Sequence, residues 1–537
     1  MTRLTLTAML VAACAPGTEK APPQTTSPSE TSTNPSTPTT TTDSGTPSPT
    51  TTDTATPTTA PILLQVEATP PNPLARLVTL TNAGAADTTA TVVYGPDATL
   101  SRATPAVVVP AGGTVQVPVL GLYPGVWSLA VEAEGVVGPA VDLATELAPR
   151  PLPTTESIAD PSTFDEQEAI CVALESPPTY LCTDREGRPT LAAPLPGNAM
   201  FVRALSDGTF VGHPDGPPYL THFDALGHEL DRITLDALTG TTFRHDWIDE
   251  HEVIELVDGP WAGAWAVLTA SEERVGNRWV IGAGLIVFEP TTRAVLWDWS
   301  SHGASGDDAP IDPLLAYERT GLFDYGDDWL HANAVVHRIA DDGSDTFWFS
   351  LRHQDWVVAI EAPSGAVRWR LGYQGDFELV DDLDAATPAV LPDDLWMFHQ
   401  HAPEPRALGN GRTELLLFDN GNARPDDQGR PDERNAYSRA LRLVIDETTM
   451  RAAIDWSFGA PEPSPDHFFS PAAGDADRLH DGSGSIYVKA LGDAQIVDVT
   501  DDGTVRWRQT YTTEGELYRA EVYPSLYATG WEATTGW

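Results

Sequence analysis

The chain has 537 residues, 41% of them hydrophobic, and its formal net charge is −46. This length allows more than one domain and a large buried core. Phosphate binding needs a basic surface, so the strongly acidic composition argues against nucleic acid as a partner. Apart from a short segment at the very start, no stretch is apolar enough to span a bilayer.

The chain begins with the features of a signal peptide. Arg3 precedes an apolar run over residues 4–13, which ends in small residues before Cys14. The sequence Val11-Ala12-Ala13-Cys14 resembles the lipobox of bacterial lipoproteins, in which the cysteine is acylated and becomes the first mature residue. We therefore predict an exported protein that is lipid-anchored at Cys14 and faces the periplasm or the cell exterior. The alternative is an ordinary signal peptide with an incidental cysteine.

Two further cysteines, Cys171 and Cys182, lie eleven residues apart. An exported chain meets an oxidising compartment, so we predict a disulfide between them. The alternative is a pair of buried free thiols. A metal site is disfavoured because no histidine lies between the two cysteines or close to them.

The composition divides the rest of the N-terminal region in two. Residues 15–61 are almost entirely Thr, Pro, Ser, Ala, Gly and Asp, which predicts a disordered tether. In residues 62–149, short β-prone runs such as 76–80 and 90–94 alternate with turn residues. That spacing, without helical periodicity, predicts a small β-sandwich of the immunoglobulin or fibronectin kind.

Residues 150–537 repeat one pattern, a polar turn followed by a β-run that contains tryptophan. The four copies lie at 292–299, 364–372, 450–459 and 502–507. Repeated units of this size, each with an aromatic residue at a fixed place, predict a β-propeller of about six blades. The tryptophan is expected to pack between neighbouring blades. A large irregular sandwich is the alternative.

Histidine and arginine fall in dense polar and aromatic clusters in the same region. These clusters are Trp329-Leu330-His331-Ala332-Asn333, Leu351-Arg352-His353-Gln354, His399-Gln400-His401, Phe418-Asp419-Asn420-Gly421, Arg424 and Gly484-Ser485-Ile486-Tyr487. In their residues and in their order along the chain, they resemble the bacterial arylsulfate sulfotransferases that work without a nucleotide sulfate donor. The resemblance runs from about His251 to Tyr527.

The resemblance implies a fold, an activity and a set of partners. The family fold is a six-bladed β-propeller preceded by a small β-sandwich. Its members transfer a sulfuryl group from a phenolic sulfate ester to a phenol, through a sulfated histidine and without a cofactor. The expected partners are therefore a small phenolic sulfate donor and a phenol acceptor. The alternative function is a non-catalytic propeller that binds a small aromatic or anionic ligand, or a surface partner.

The resemblance also implies roles for individual residues. The positions that match the family's catalytic constellation are His331, His401 and Arg424, while Tyr487 stands where the family has its nucleophilic histidine. The expected substrate-binding residues are Asn333, Arg352, His353, Asn420, His251 and His480. Arginine and imidazolium donors can stabilise the negative charge of a departing sulfuryl group, and a histidine can exchange protons with the phenol. No metal site is expected, because the acidic runs match no calcium loop pattern.

Overall fold

The protein is described by a computed structural model that covers residues 62–96, 99–150, 152–159, 167–175, 177–197, 199–214, 219–276, 278–303, 310–311, 327–426, 432–464, 467–479, 482, 484–489, 494–511 and 517–527. The predicted signal peptide, Cys14, the predicted tether and His480 lie outside these residues. Within them the chain is all-β, as the sequence predicts, and its helices are four short 3₁₀ turns. These turns are Leu235–Ala237, Arg352–Gln354, Asp393–Leu395 and Glu433–Asn435. None of the helices described here could cross a membrane.

The N-terminal region forms two antiparallel sheets. Its strands are β1 Ile62–Val66, β2 Arg76–Asn82, β3 Thr88–Gly95, β4 Arg102–Ala103, β5 Val107–Val109, β6 Thr114–Val119, β7 Gly125–Ala133, β8 Val136–Val137 and β9 Val141–Thr145. One sheet has the order β1-β2-β6, and the other has the order β4-β3-β7-β8, with β5 on β3 and β9 on β7. Val78, Val92 and Trp127 belong to one apolar cluster that both sheets share. The limits 62–149 and 150–537 of the two expected domains stay predictions.

Four-stranded antiparallel sheets follow, which we number as blades one to six. The strands are β10 Thr154–Ser157; β11 Ala169–Glu175, β12 Pro178–Thr183 and β13 Pro189–Pro194 (blade one); β14 Ala199–Ala204, β15 Phe210–Pro214, β16 Tyr219–Phe223 and β17 Glu229–Thr234 (blade two); β18 Trp247–Glu255, β19 Trp265–Val275, β20 Arg278–Phe288, β21 Val295–Ser300 and β22 Asp327–Asp328 (blade three); β23 Ala332–Ile339, β24 Asp345–Leu351, β25 Trp356–Ala362 and β26 Val367–Gly372 (blade four); β27 Glu378–Val380, β28 His401–Gly409, β29 Arg412–Asp419, β30 Arg439–Asp446 and β31 Arg451–Phe458 (blade five); β32 Asp475–Arg478, β33 Ser485–Lys489, β34 Ala494–Val499 and β35 Val505–Tyr511 (blade six); and β36 Ala520–Tyr523.

The two ends of this region close the ring of blades. The last strand, β36, pairs with β11 and completes blade one, while β10 pairs with β35 at the outer edge of blade six. An apolar cluster lies between each successive pair of blades, including the pair formed by blades six and one. Within the described residues, six sheets therefore form a closed ring, which confirms the predicted six-bladed propeller.

The repeated tryptophans lie on the outermost of the four consecutive strands in their blades and contact the next blade. Trp299 of β21 donates its indole N–H to the carbonyl of Gly365 in blade four, at 3.0 Å. Trp507 of β35 donates to the carbonyl of Arg185 in blade one, at 2.7 Å. Trp369 of β26 is part of the cluster between blades four and five. The predicted packing of these residues between blades is therefore confirmed.

The predicted disulfide is also present. Cys171 and Cys182 lie directly opposite each other on β11 and β12, and their sulfur atoms are bonded. The bond therefore links two neighbouring strands of blade one, where both cysteines are buried against blade two.

Candidate active site

Three histidines and a tyrosine from different blades meet around the propeller axis. His251 lies on β18, His331 immediately precedes β23, and His401 is the first residue of β28. The ring centroids of His251 and His331 are 5.0 Å apart. The ring of Tyr518, just before β36, lies 5.6 Å from His251 and 5.9 Å from His401. Side chains from blades three, four, five and one thus form a single group, which we call the histidine cluster.

The backbone around the cluster adopts conformations that side chains other than glycine rarely take. His331, His399 and Ala402 have φ angles of 49°, 56° and 49°. The pairing of β28 with β29 also shifts register between His401 and Glu404, which marks a bulge. Left-handed residues and bulges each cost free energy and concentrate at functional sites, where they direct a side chain.

The hydrogen bond between Asn420 and His401 fixes the tautomer of the histidine. The amide nitrogen of Asn420 donates to the carbonyls of Ser470 and Ala473, both at 2.8 Å. Its oxygen Oδ1 therefore faces Nδ1 of His401, at 2.6 Å, and can only accept. Nδ1 of His401 consequently carries the proton, and Nε2 holds a lone pair with no partner in the described part of the chain.

The same histidine is held in its neutral form. Burial lowers the pKa of His401 well below its usual value, and the positive charge of Arg352 lowers it further. A neutral imidazole with the proton on Nδ1 offers Nε2 as a base or a nucleophile.

His331 forms a dyad with Asp328. Nδ1 of His331 lies 2.7 Å from Oδ2 of the carboxylate. Burial opposes the ionisation of Asp328, but the charge and hydrogen bond of His331 outweigh it and lower the pKa of Asp328 to about 2. The carboxylate therefore accepts the proton of Nδ1 and orients the ring, leaving Nε2 as its unprotonated nitrogen. Burial lowers the pKa of His331 itself.

His251, unlike His401, is held in its cationic form. Burial disfavours its cation, but Asp249, whose Oδ1 lies 2.5 Å from Nδ1, outweighs burial and raises the pKa of His251 to about 9. The cluster therefore combines neutral His401 with cationic His251 near neutral pH. Two imidazoles whose pKa values are moved apart in this way can act as a base and an acid in one site.

Two buried arginines lie next to the cluster, and the charge of Arg519 is paired with a carboxylate. Arg519 binds Glu252 at 2.5 Å and also donates to the carbonyl of Asn333, at 2.8 Å. Arg352 donates to the carbonyl of Pro471, at 3.0 Å. Arg352 and His251 therefore place positive charge near His401, which suits an anionic group such as a sulfate ester.

Asn333 and His353 support this arrangement. The amide of Asn333 donates to the carbonyl of Gln400, which links the start of blade four to blade five. Nδ1 of His353 donates to the carbonyl of Asp328, at 2.6 Å, and its ring lies 4.7 Å from that of His331. Burial, followed by the charge of His331, lowers the pKa of His353 to about 3.

Within the described residues, one group has the proximity that a metal ion would need. Asp328, His331 and His353 each offer one ligand atom, and these atoms lie within 4.8 Å of one another. The hydrogen bonds of the dyad and of His353 already account for the positions of all three side chains.

Arg424, predicted to be catalytic, takes part in a buried ion-pair network. Its guanidinium contacts the carboxylate of Asp419 and donates to the carbonyl of Trp396, at 2.9 Å. Arg439 binds the same carboxylate at 2.8 Å. Because Asp419 precedes Asn420, this network holds the turn that carries the partner of His401.

Tyr487 lies in the apolar cluster between blades five and six. Its ring stacks on that of Phe468, with centroids 4.9 Å apart, and lies 5.4 Å from that of Phe458. The structure therefore surrounds this ring with aromatic side chains.

Sequence reasoning did not assign roles to Asp249, Asp328, Tyr518 and Arg519. The alternation of a β-strand offered a signal for Asp249, because residues two apart lie on the same face and Asp249 precedes His251 by two. Asp328 pairs with His331 across an irregular segment, for which the sequence offers no comparable periodicity.

The fold and the cluster define a propeller that carries a group of buried histidines at its axis. The profile of the arylsulfotransferase (ASST) family matches residues 173–517, which is more than half of the chain. The chain therefore belongs to this family of aryl sulfotransferases. No curated protein sequence is similar enough to the chain to count as a match.

Two solved structures are similar at low identity. The dihydro-heme d1 dehydrogenase NirN is 12% identical with a TM-score of 0.31, over 68% of this chain and 79% of that one. A structural genomics protein of unknown function from Bacteroides thetaiotaomicron VPI-5482 is 11% identical with a TM-score of 0.33, over 87% of this chain and 99% of that one. The assignment of a propeller rests on the sheet order described above.

Proposed function

We propose that the protein transfers a sulfuryl group from a phenolic sulfate ester to a phenol, with His401 as the residue that carries the group between them. The observation that supports this role most strongly is the hydrogen bond from His401 to Asn420, which leaves a lone pair on Nε2. At the position where related enzymes carry their nucleophile, this chain has Tyr487, and a phenol is a poor nucleophile near neutral pH.

In the first half-reaction, Nε2 of His401 attacks the sulfur atom of the donor ester. An N–S bond forms while the S–O bond to the phenol breaks. The departing phenolate takes a proton from the His251 imidazolium, which Asp249 holds in its charged form. Arg352, whose positive charge acts on His401, stabilises the negative charge on the sulfuryl oxygens as the bond breaks.

The second half-reaction reverses these events with a different phenol. The acceptor hydroxyl returns a proton to neutral His251, and its oxygen attacks the sulfur atom. The N–S bond then breaks, and its electron pair returns to Nε2 of His401. The enzyme ends in its original protonation state, and the product is the sulfate ester of the acceptor.

Kinetics with a chromogenic phenolic sulfate test this function. Purified protein should release the coloured phenol faster when a second phenol is added, and the acceptor should gain the sulfuryl group. His401→Gln should abolish transfer, whereas the exposed control His228→Gln should leave it unchanged. Binding of an aromatic sulfate without transfer would instead identify a non-catalytic propeller.

We further propose that the enzyme is exported and anchored by a lipid at Cys14. The support is the lipobox-like sequence Val11-Ala12-Ala13-Cys14, together with a disulfide of the kind that forms in oxidising compartments. Mass spectrometry of the membrane fraction should find an acylated N-terminus at Cys14. Soluble protein with an unmodified N-terminus at another residue would contradict the anchor.

A further inference from the structure

A cavity, which we call the second cavity to distinguish it from the histidine cluster, lies in the central channel beyond that cluster. It encloses about 230 Å³ and is lined by the inner strands of all six blades, β14, β18, β23, β28, β32 and β36. None of His251, His331 and His401 is among its described lining residues. Along β18, along β28 and from His331 into β23, residues of the cluster come first and residues of the cavity follow, so the two sites occupy successive levels of the channel.

Three carboxyl groups in this cavity have neither a cationic side chain nor a side-chain hydrogen-bond donor bound to them among the described residues. They belong to Glu404, Asp475 and Asp477. The lining arginines are paired with other carboxylates. Arg203 binds Glu252 and Glu521, and Arg478 binds Glu414, which does not line the cavity. The cavity therefore holds more carboxyl groups than its own arginines pair with.

Asp475 is the most informative of the three groups. The residue is only 3% exposed. Oδ1 accepts from the adjacent backbone N–H of Ala476 at 3.0 Å, and Oδ2 has no hydrogen-bond or ion-pair partner in the described part of the chain. A bound cation in the cavity would supply the partner that this oxygen lacks within the described residues.

The pKa values of these three carboxyl groups are raised, as expected for buried carboxyl groups with no cationic side chain bound to them among the described residues. Burial raises the pKa of Asp475 to about 7 and that of Glu404 to about 8, and it raises the pKa of Asp477 well above its usual value. The charged groups that face them are Arg203, Arg478 and Arg519, which favour ionisation, and Glu252 and Glu521, which oppose it.

The geometry favours an organic cation over a metal ion. The one described group of carboxylates and imidazoles close enough to chelate a metal is Asp328, His331 and His353, outside this cavity. The carboxyl groups of the cavity are thus spread over its wall. Between them lie apolar residues such as Ala334, Val335 and Val522. Dispersed carboxyl groups on a partly apolar wall suit a small molecule with a charged amine and a hydrocarbon body.

We infer that this cavity is a second binding site, specific for a small organic ammonium ion whose amine pairs with Asp475 and Asp477. The site is separate from the sulfuryl-transfer site. The net charge of −46 would also raise the concentration of such cations near the protein.

Calorimetry on the full chain tests this site with 2-phenylethylammonium as the probe. We expect saturable binding that strengthens from about pH 6 to about pH 9 and releases protons, because the cation needs ionised carboxylates. The neutral analogue 2-phenylethanol should bind at least tenfold more weakly. Equal binding of the two compounds, or no binding of the ammonium ion, would overturn the inference.

Variants locate the site. Asp475→Asn and Asp477→Asn should each weaken binding of the ammonium ion about tenfold or more, since each removes a charge that pairs with it. Asp236→Asn, at an exposed carboxylate outside the cavity, should bind as the parent does. Thermal melting confirms that each variant is folded. Unchanged affinity for the ammonium ion in the folded cavity variants would overturn the assignment. So would a parent protein that binds calcium but not the ammonium ion, if the cavity variants lose the calcium binding.

Discussion

Nδ1 of His401 and Oδ1 of Asn420 lie 2.6 Å apart, although 19 residues separate them in the sequence. The amide of Asn420 is itself fixed by the carbonyls of Ser470 and Ala473. The position of the proton on His401 is therefore set by the start of blade six as well as by blade five. This relationship makes Asn420 a positioning residue for the reacting nitrogen.

Replacing Asn420 by alanine should slow transfer without removing the nucleophile. The imidazole of His401 would then sample both tautomers, and turnover should fall on the order of tenfold or more. The pH dependence of turnover distinguishes this role from a structural one. It should change in Asn420→Ala, because the raising influence of Asn420 on the pKa of His401 is lost. An identical profile with a normal melting temperature would contradict the assignment.

The charge of His251 should control the alkaline side of the pH profile. Its pKa is raised to about 9, so the acid form is present below that pH and is lost as the pH rises through it. Turnover of esters with poor leaving groups should fall in that range, because their phenolates need the proton most. In Asp249→Asn the pKa of His251 should decrease, and the alkaline limb should move to lower pH. If the alkaline limb of Asp249→Asn lies at the same pH as that of the parent protein, His251 is not the acid.

The buried carboxyl groups of the second cavity should make stability depend on pH. Burial raises the pKa values of Asp475 and Glu404 to about 7 and about 8, above their values of about 4 in the unfolded chain. Their contribution to stability is therefore complete below about pH 4 and is lost as the pH rises through the folded values. The melting temperature should decrease between about pH 5 and about pH 8, and less steeply in a variant with Asp475→Asn and Glu404→Gln. A melting temperature that depends on pH equally in the variant and in the parent protein would contradict this prediction.

The disulfide of blade one should contribute to stability and leave the reaction intact. Its loop is short, so replacing both Cys171 and Cys182 by alanine should lower the free energy of unfolding by about 2–3 kcal/mol. Denaturant unfolding measures this difference, with the reduced parent protein as the control. Since neither cysteine lies in the histidine cluster, turnover below the melting temperature should not change. A loss of turnover in the folded variant would show that blade one affects the site directly.

The sequence was most informative where the fold repeats. Trp299, Trp369 and Trp507 recur at one place in blades three, four and six, so a repeated pattern revealed both the propeller and their packing. Order along the chain also indicated His331 and His401, because their neighbouring residues resemble a known family. These signals can be recognised in the sequence because each depends on residues that are close together along the chain.

The sequence was least informative where function depends on a hydrogen-bond partner from another strand. The residues next to His401 in the sequence do not indicate that Asn420 sets its tautomer. The residues next to His331 likewise do not indicate that Asp328, rather than a more distant acid, orients its ring. Arg424 matched a catalytic position in sequence, but its charge is directed to Asp419, a pairing that depends on how the turn folds. Such contacts are decided by three-dimensional packing across irregular segments.

The most direct test of the account is to trap the enzyme after the first half-reaction. The protein is mixed with a phenolic sulfate without an acceptor, quenched at alkaline pH, digested and examined by tandem mass spectrometry. Our account predicts one added sulfuryl group on His401, its absence in His401→Gln, and its removal from the parent protein when a phenol is added before the quench. A sulfuryl group on Tyr487 or on another residue, with His401 unmodified, would contradict the account.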